Sequence, residues 1–260
     1  MLIAFMIFIF IIVIASFLYS FTFSKKSNVE KVNSNDQIEI TFEYDKPRET
    51  GKLLRDFPAN YTIIDIETTG LKPREDKIIE IGAIKYRDNK ETDSFSTLVK
   101  VDHIPSFISS YTNITNKMVK NAPTINEAIK QFYDFIGDDI LVGYNVSFDI
   151  KFLYDALYEV SNEELLLKND FIDVMYIAKR VLKDLENYKQ ATVASYYNIS
   201  IDNLHRAIDD CKLCSAIYGC LQKDILEKWG GFNKFYKKYT PKKIKLKITK
   251  MNNSFDLHID

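Results

Sequence analysis

Asp65 and Glu67 close the apolar, β-branched run Tyr61-Thr62-Ile63-Ile64-Asp65-Ile66-Glu67, and Thr68-Thr69-Gly70 follows at once. Side chains two apart on a strand share a face, so these carboxylates project together. At the end of a buried strand they repel each other and lose hydration, and a hard cation that prefers oxygen ligands relieves both. Taken alone the pair is a weak metal motif, and a strand that happens to end in a polar turn is the plainer reading. The chain supplies further groups. Asp149 lies near the start of a helix that follows Gly143-Tyr144-Asn145, and Asp210, with Asp209 beside it, lies near the start of another. Helix N-termini favour anions, which eases bringing these acids toward the first pair. Four carboxylates suit a pair of divalent ions, which can activate water and steady the attacking and leaving oxygens at phosphorus. His205 adds an imidazole that can take the proton from such a water, since a histidine titrates at about 6.5 in the absence of perturbation.

The elements that must position these groups follow from periodicity. Residues 77–85 read as a second strand and 95–101 as a third, joined through a polar turn at Asp88-Asn89. Connections this short make the three strands antiparallel neighbours. Between 123 and 136, apolar residues fall at Ile125, Ala128, Ile129, Phe132, Tyr133 and Ile136, a helical period. Residues 140–142 form a short buried strand. A helix over 147–157 follows, with Ser147 as its N-cap. Phe171-Ile172-Asp173 is the last strand, and Asp173 caps a helix over 174–182. A short helix over 190–197 and a long one over 207–228 complete the body. Strands first, then helix and strand in alternation, predict a mixed α/β sheet of five strands with helices on both faces. Sites in such sheets lie at the carboxyl ends of central strands, where Asp65, Glu67 and Asn145 fall.

Three segments, Ile64-Asp65-Ile66-Glu67-Thr68-Thr69-Gly70, Asn145-Val146-Ser147-Phe148-Asp149 and His205-Arg206-Ala207-Ile208-Asp209-Asp210, resemble the motifs of the DEDDh 3′→5′ exonucleases. That family includes the proofreading epsilon subunit of bacterial DNA polymerase III. The resemblance runs over residues 58 to 225 in family order and takes in Ile78-Ile79-Glu80-Ile81-Gly82-Ala83-Ile84 and Ala122-Pro123. It implies an RNase H-like fold and a pair of Mg²⁺ or Mn²⁺ ions held by Asp65, Glu67, Asp149 and Asp210. It implies hydrolysis from a 3′ end of DNA or RNA to nucleoside 5′-monophosphates, with His205 as general base. The histidine-to-aspartate spacing of the family selects Asp210 over Asp209, which then faces solvent or the helix dipole. Thr68 and Leu71 resemble the family's grip on the terminal nucleotide. Asn145 orients the turn or a phosphate, or serves as a structural cap. Two departures bear on substrate preference. Tyr144 stands where the family often has His, and Asn113 stands where a Gly is common; Asn tolerates the left-handed backbone that turn needs.

Composition bounds the remainder. A net charge of −1 excludes a global basic field, so nucleic acid must be met by a local patch. Cys211, Cys214 and Cys220 make no disulfide framework or zinc set and read as small buried hydrophobes in a reducing compartment. Residues 1–23 are nearly all apolar and are followed by Lys25 and Lys26. As a helix they reach roughly 30 Å, the thickness of a hydrocarbon core. The expectation is a single-pass membrane anchor with the body in the cytoplasm; a cleaved signal peptide is the competing reading. Residues 24–57 read as a linker holding a short strand over 38–44, 58–228 as the exonuclease domain and 229–260 as a basic extension. That extension carries eight lysines against two aspartates, with Phe232, Phe235, Tyr236 and Tyr239 interleaved. It fits nucleic-acid contact, an anionic membrane surface or a plain structural role, with a terminal hairpin that could pair with the 38–44 strand. The functional expectation is a membrane-anchored exonuclease with replication or repair proteins as further partners. The alternative is a non-catalytic membrane tether that binds nucleic acid or a replication partner.

Overall fold

A computed structural model describes residues 25–27, 42–44, 47–201, 205–239, 246–251 and 254–259. The chain divides into two compact units, Met1–Arg48 and Glu49–Asp260. In the first, β1 (Lys25–Ser27) pairs antiparallel with β2 (Phe42–Tyr44). The rest of the 38–44 segment lies outside the described residues.

In the second unit β3 (Tyr61–Thr68), β4 (Ile78–Arg87) and β5 (Lys90–Leu98) form an antiparallel meander. Asp88 and Asn89 both take positive φ, 51° and 59°. This is the two-residue turn whose twist matches flanking strands. β5 therefore begins before the expected 95–101 strand, on polar residues that the turn brings into register. Three helices follow: α1 (Ser106–Thr112), α2 (Asn116–Val119) and α3 (Ile125–Ile136). The last starts on a capping box, in which Thr124 and Glu127 satisfy each other's backbone N–H. Next come β6 (Leu141–Gly143), α4 (Ser147–Val160), β7 (Phe171–Asp173), α5 (Val174–Val181), α6 (Gln190–Tyr196) and α7 (Ala207–Trp229). α8 (Phe232–Tyr239) and a separate hairpin of β8 (Leu246–Met251) and β9 (Ser254–Ile259) end the described chain.

The sheet order is β5-β4-β3-β6-β7, with β6 and β7 parallel to β3. This is the expected mixed five-stranded sheet. Alternation along β3 feeds two cores. Tyr61 and Ile63 pack with α5, α6 and α7 on one face, and Ile64 and Ile66 with α3 and α4 on the other. Both faces are covered, so β3 and β4 read as nearly continuous apolar runs. Residues before β3 join this body. The Leu54 N–H donates to the Phe171 carbonyl at 2.7 Å, and the Phe171 N–H to the Lys52 carbonyl at 2.9 Å. A Cβ at Gly51 would stand 2.0 Å from the Asn169 carbonyl oxygen, so only glycine permits this approach.

Two expectations change. β8 and β9 pair with each other, while β2 pairs with β1, so the terminal hairpin forms its own sheet. The membrane anchor and single-pass membrane location expected from residues 1–23 are also not upheld. Among the described residues no helix is long and apolar enough to cross a membrane. Residues 1–23 lie outside the described residues.

Candidate active site

The central strand β3 delivers Asp65 and Glu67 at its carboxyl end, both partly exposed between the buried Ile64, Ile66 and Thr68. Parallel pairing of β6 with β3 brings the α4 N-terminus alongside. There the buried Asp149 accepts the Ile66 N–H through Oδ1 at 3.1 Å, a bond to the peptide between the two β3 acids. The turn that aims α4 depends on Asn145, whose φ is 61°. Its N–H donates to Asp173 Oδ1 at 3.3 Å, and the same oxygen accepts the Tyr176 N–H at 3.1 Å. Asp173 thus caps α5 as expected and ties the α4 turn to it. Ser147 is the first helical residue of α4, and the cap position belongs to Val146, which makes no side-chain cap.

α7 brings the remaining groups. A Cβ at Gly82 would come within 2.6 Å of the Ala207 carbonyl carbon, so glycine lets the α7 N-terminus rest directly on β4. Asp210, in the first turn, accepts the His205 N–H through Oδ2 at 3.0 Å. His205 holds φ at 69°, a left-handed conformation rare outside glycine and asparagine. Its ring lies 3.9 Å from that of Tyr111, centroid to centroid, at 34°. Glu67, His205 and Asp210 each present a ligand atom, all within 4.8 Å of one another.

The acids of this cluster share one electrostatic problem. Burial raises the Asp65 carboxyl well above its usual range, and Asp149, Asp210, Glu67 and Glu80 add repulsion. Burial pushes Glu67 up to about 8, with Asp210, Glu80 and Asp149 adding to it and Arg206 opposing. Burial also pushes Asp149 to about 8 against the pull of its backbone hydrogen bonds, and Asp210 to about 6. A mainly oxygen donor set under mutual repulsion is chemistry that hard divalent cations relieve, so the residues fit such ions. Burial lowers the His205 pKa, which keeps its imidazole neutral and able to accept a proton.

The other predicted residues are placed as follows. Thr68 is buried and its hydroxyl donates to the Gly70 carbonyl at 2.6 Å. Leu71, four residues after Glu67 in the chain, is 81% exposed. The side chain of Asn145 is exposed while its backbone shapes the turn. Asp209 turns away to Lys212 at 2.9 Å. Tyr144 donates its hydroxyl to the Tyr188 carbonyl at 2.7 Å, and Asn113 takes φ 58° at the end of α1. The cysteines are free, with Cys211 and Cys214 buried. In the basic extension Phe235 and Tyr236 are buried, and Phe232 stacks on Phe57 at 4.1 Å, so these aromatics belong to the core. Two residues were not singled out by the sequence reading. Glu80, a lone carboxylate within the apolar stretch of β4, was a legible signal. Tyr111 offered none, because only the α1 fold carries it to His205.

Residues 62–218 match the RNase T exonuclease family, and the chain belongs to that family. It is 42% identical over 163 residues to the PolC-type DNA polymerase III of Clostridium perfringens, covering 62% of this chain and 11% of that protein. The chain thus spans about a tenth of the length of such relatives. It is 30% identical over 173 residues to the DNA polymerase III subunit epsilon of Aquifex aeolicus, covering 66% of this chain and 85% of that protein. Among solved structures it resembles exonuclease X in complex with 5′-overhanging duplex DNA. The TM-score is 0.51 and the identity 26%, over 66% of this chain and 93% of the other. E. coli exonuclease I in complex with a dT13 oligonucleotide shares the fold at a TM-score of 0.57 and 16% identity, over 66% of this chain and 43% of the other.

Proposed function

We propose that this chain is a 3′→5′ exonuclease that hydrolyses the terminal phosphodiester of a nucleic-acid strand and releases a nucleoside 5′-monophosphate. The observation that carries the reading is the convergence of Glu67, His205 and Asp210 within 4.8 Å, beside Asp65 and the buried Asp149. Asp65, Glu67, Asp149 and Asp210 would hold a pair of divalent ions, Mg²⁺ or Mn²⁺, which supply water activation and charge stabilisation at phosphorus when bound. His205 takes the proton of the attacking water as its oxygen bonds to phosphorus. The bond from phosphorus to the 3′ oxygen of the penultimate nucleotide breaks, and that oxygen takes a proton from solvent water to become the 3′-hydroxyl of the shortened strand. Asp210 restrains the His205 backbone, and Tyr111 covers one face of the imidazole. Leu71, exposed at the rim, offers an apolar surface to the terminal base. Thr68 shapes the turn that presents Leu71, and Asn145 aims α4. The relatives named DNA polymerase III support a DNA end as substrate and a setting beside replication proteins.

The test is hydrolysis of 5′-labelled DNA and RNA oligonucleotides by the full chain with Mg²⁺ or Mn²⁺. A ladder shortening from the 3′ end is expected, with DNA cut faster. Asp65→Ala should abolish it, and His205→Ala should slow it by roughly 10²- to 10⁴-fold. Wild-type protein that binds metal yet leaves every end intact would sink the reading and restore the non-catalytic binding module.

A further inference from the structure

Glu80 and Arg206 lie next to the reacting groups but outside the set assigned to metal, water or nucleotide. Glu80, the third residue of β4, is 1% exposed and pairs in register with Glu67 on β3. A carboxylate at that depth is tolerated only when its oxygens are paired. Arg206 Nε donates to both oxygens at 3.1 Å, and Nη2 donates to Oε1 at 2.7 Å. The Ala207 N–H donates to Oε2 at 3.0 Å. Arg206 immediately follows His205 and immediately precedes α7, and Gly82, two residues along β4 from Glu80, lets α7 touch the strand.

We propose that the Glu80–Arg206 pair is a latch that fixes the His205 loop and the α7 N-terminus to β4, and so positions His205 and Asp210 for hydrolysis. Arg206 is then a positioning residue and not a phosphate contact. A forked, charge-assisted pair has one preferred plane, and it constrains the backbone on both sides of Arg206. Displacement by about 1 Å at a reacting group is enough to cost roughly 100-fold in rate. The inference rests on the exonuclease reading for its kinetic effect, but the latch itself has an independent readout.

Full-length Glu80→Gln, Arg206→Gln, Arg206→Lys and the double variant Glu80→Gln/Arg206→Gln are compared with wild type for kcat and KM on a 5′-labelled oligonucleotide, for thermal melting and for tryptic cleavage. Each glutamine variant should lower kcat by roughly 10- to 100-fold with KM unchanged. The double variant should be no worse than the more severe single, and Arg206→Lys should recover only part of the loss. Trypsin should cut after Arg206 faster in Glu80→Gln than in wild type, a readout that needs no activity. The latch is overturned by a raised KM in Arg206→Gln with Glu80→Gln left normal, which would make Arg206 a phosphate contact. It is equally overturned by lower melting with wild-type kcat, or by unchanged cleavage after Arg206. Wild-type protein inactive on every end would count against the exonuclease reading, while cleavage after Arg206 would still decide the latch.

Discussion

At the scale of single residues, the proposed assignment of His205 as general base sets an expected pH behaviour. Its pKa is lowered by burial, so the sign is fixed: the base stays neutral to a lower pH than a free histidine. At saturating metal, the acid limb of a kcat profile should have its midpoint below the usual value of about 6.5, and stopped-time assays across pH 5–8 would show it. A midpoint above that value would mean that another group takes the proton. Tyr111 makes a separate prediction, because its ring packs on the imidazole at 3.9 Å. Ring contacts contribute about 0.5–1.5 kcal/mol, so Tyr111→Ala should lower kcat roughly two- to tenfold while Tyr111→Phe stays near wild type. The acids and His205 could be read from the chain because each sits at a strand end or helix start that sequence pattern locates. The partner of Arg206 could not be, since it lies 126 residues away in the chain. The extension's Phe232, Phe235 and Tyr236 invited a base-stacking reading because composition cannot tell a buried aromatic from an exposed one.

Among elements, the seating of α7 on β4 matters most, since this helix carries Asp210 and its approach requires Gly82 to lack a side chain. Gly82→Ala places a Cβ within 2.6 Å of backbone that cannot rotate away. Overpacking of this kind costs about 1–3 kcal/mol, and urea denaturation should show that loss. The kcat of Gly82→Ala should fall as well, since relief of the clash moves Asp210. Unchanged kcat in a destabilised variant would show that the helix tolerates displacement. The sheet was legible from the spacing of apolar residues, including the two parallel strands after the meander. β5 was placed late because its first residues are polar and exposed, and hairpin geometry, not hydrophobicity, sets where it begins. α1 and α2 were missed for a related reason: they are short, and tertiary contact at Thr112 and Val119 holds them in place of a long apolar stripe.

For the whole molecule, the buried acids link stability to pH and metal. The folded-state pKa is pushed up to about 8 for Glu67 and Asp149 and to about 6 for Asp210. A raised carboxyl contributes stability that is complete below its unfolded value of about 4 and is lost as pH rises through the folded value. Chelator-treated protein should therefore melt at progressively lower temperature between pH ~5 and ~8, by ~2–4 °C for each kcal/mol lost. Mg²⁺ or Mn²⁺ should raise the melting temperature more at pH 8 than at pH 5, and differential scanning calorimetry would read both effects. A metal-free protein that grows more stable across this range would contradict the burial of these acids. The segment from Gly51 to Leu54 has a different consequence. By lying along β7 it occupies hydrogen-bonding groups that would otherwise form an open sheet edge, and open edges recruit strands from other molecules. A chain trimmed to begin at Pro58 would keep every reacting group, yet it would bare that edge and remove Phe57 from its stack on Phe232. Such a fragment is expected to self-associate at concentrations where the full chain stays dispersed.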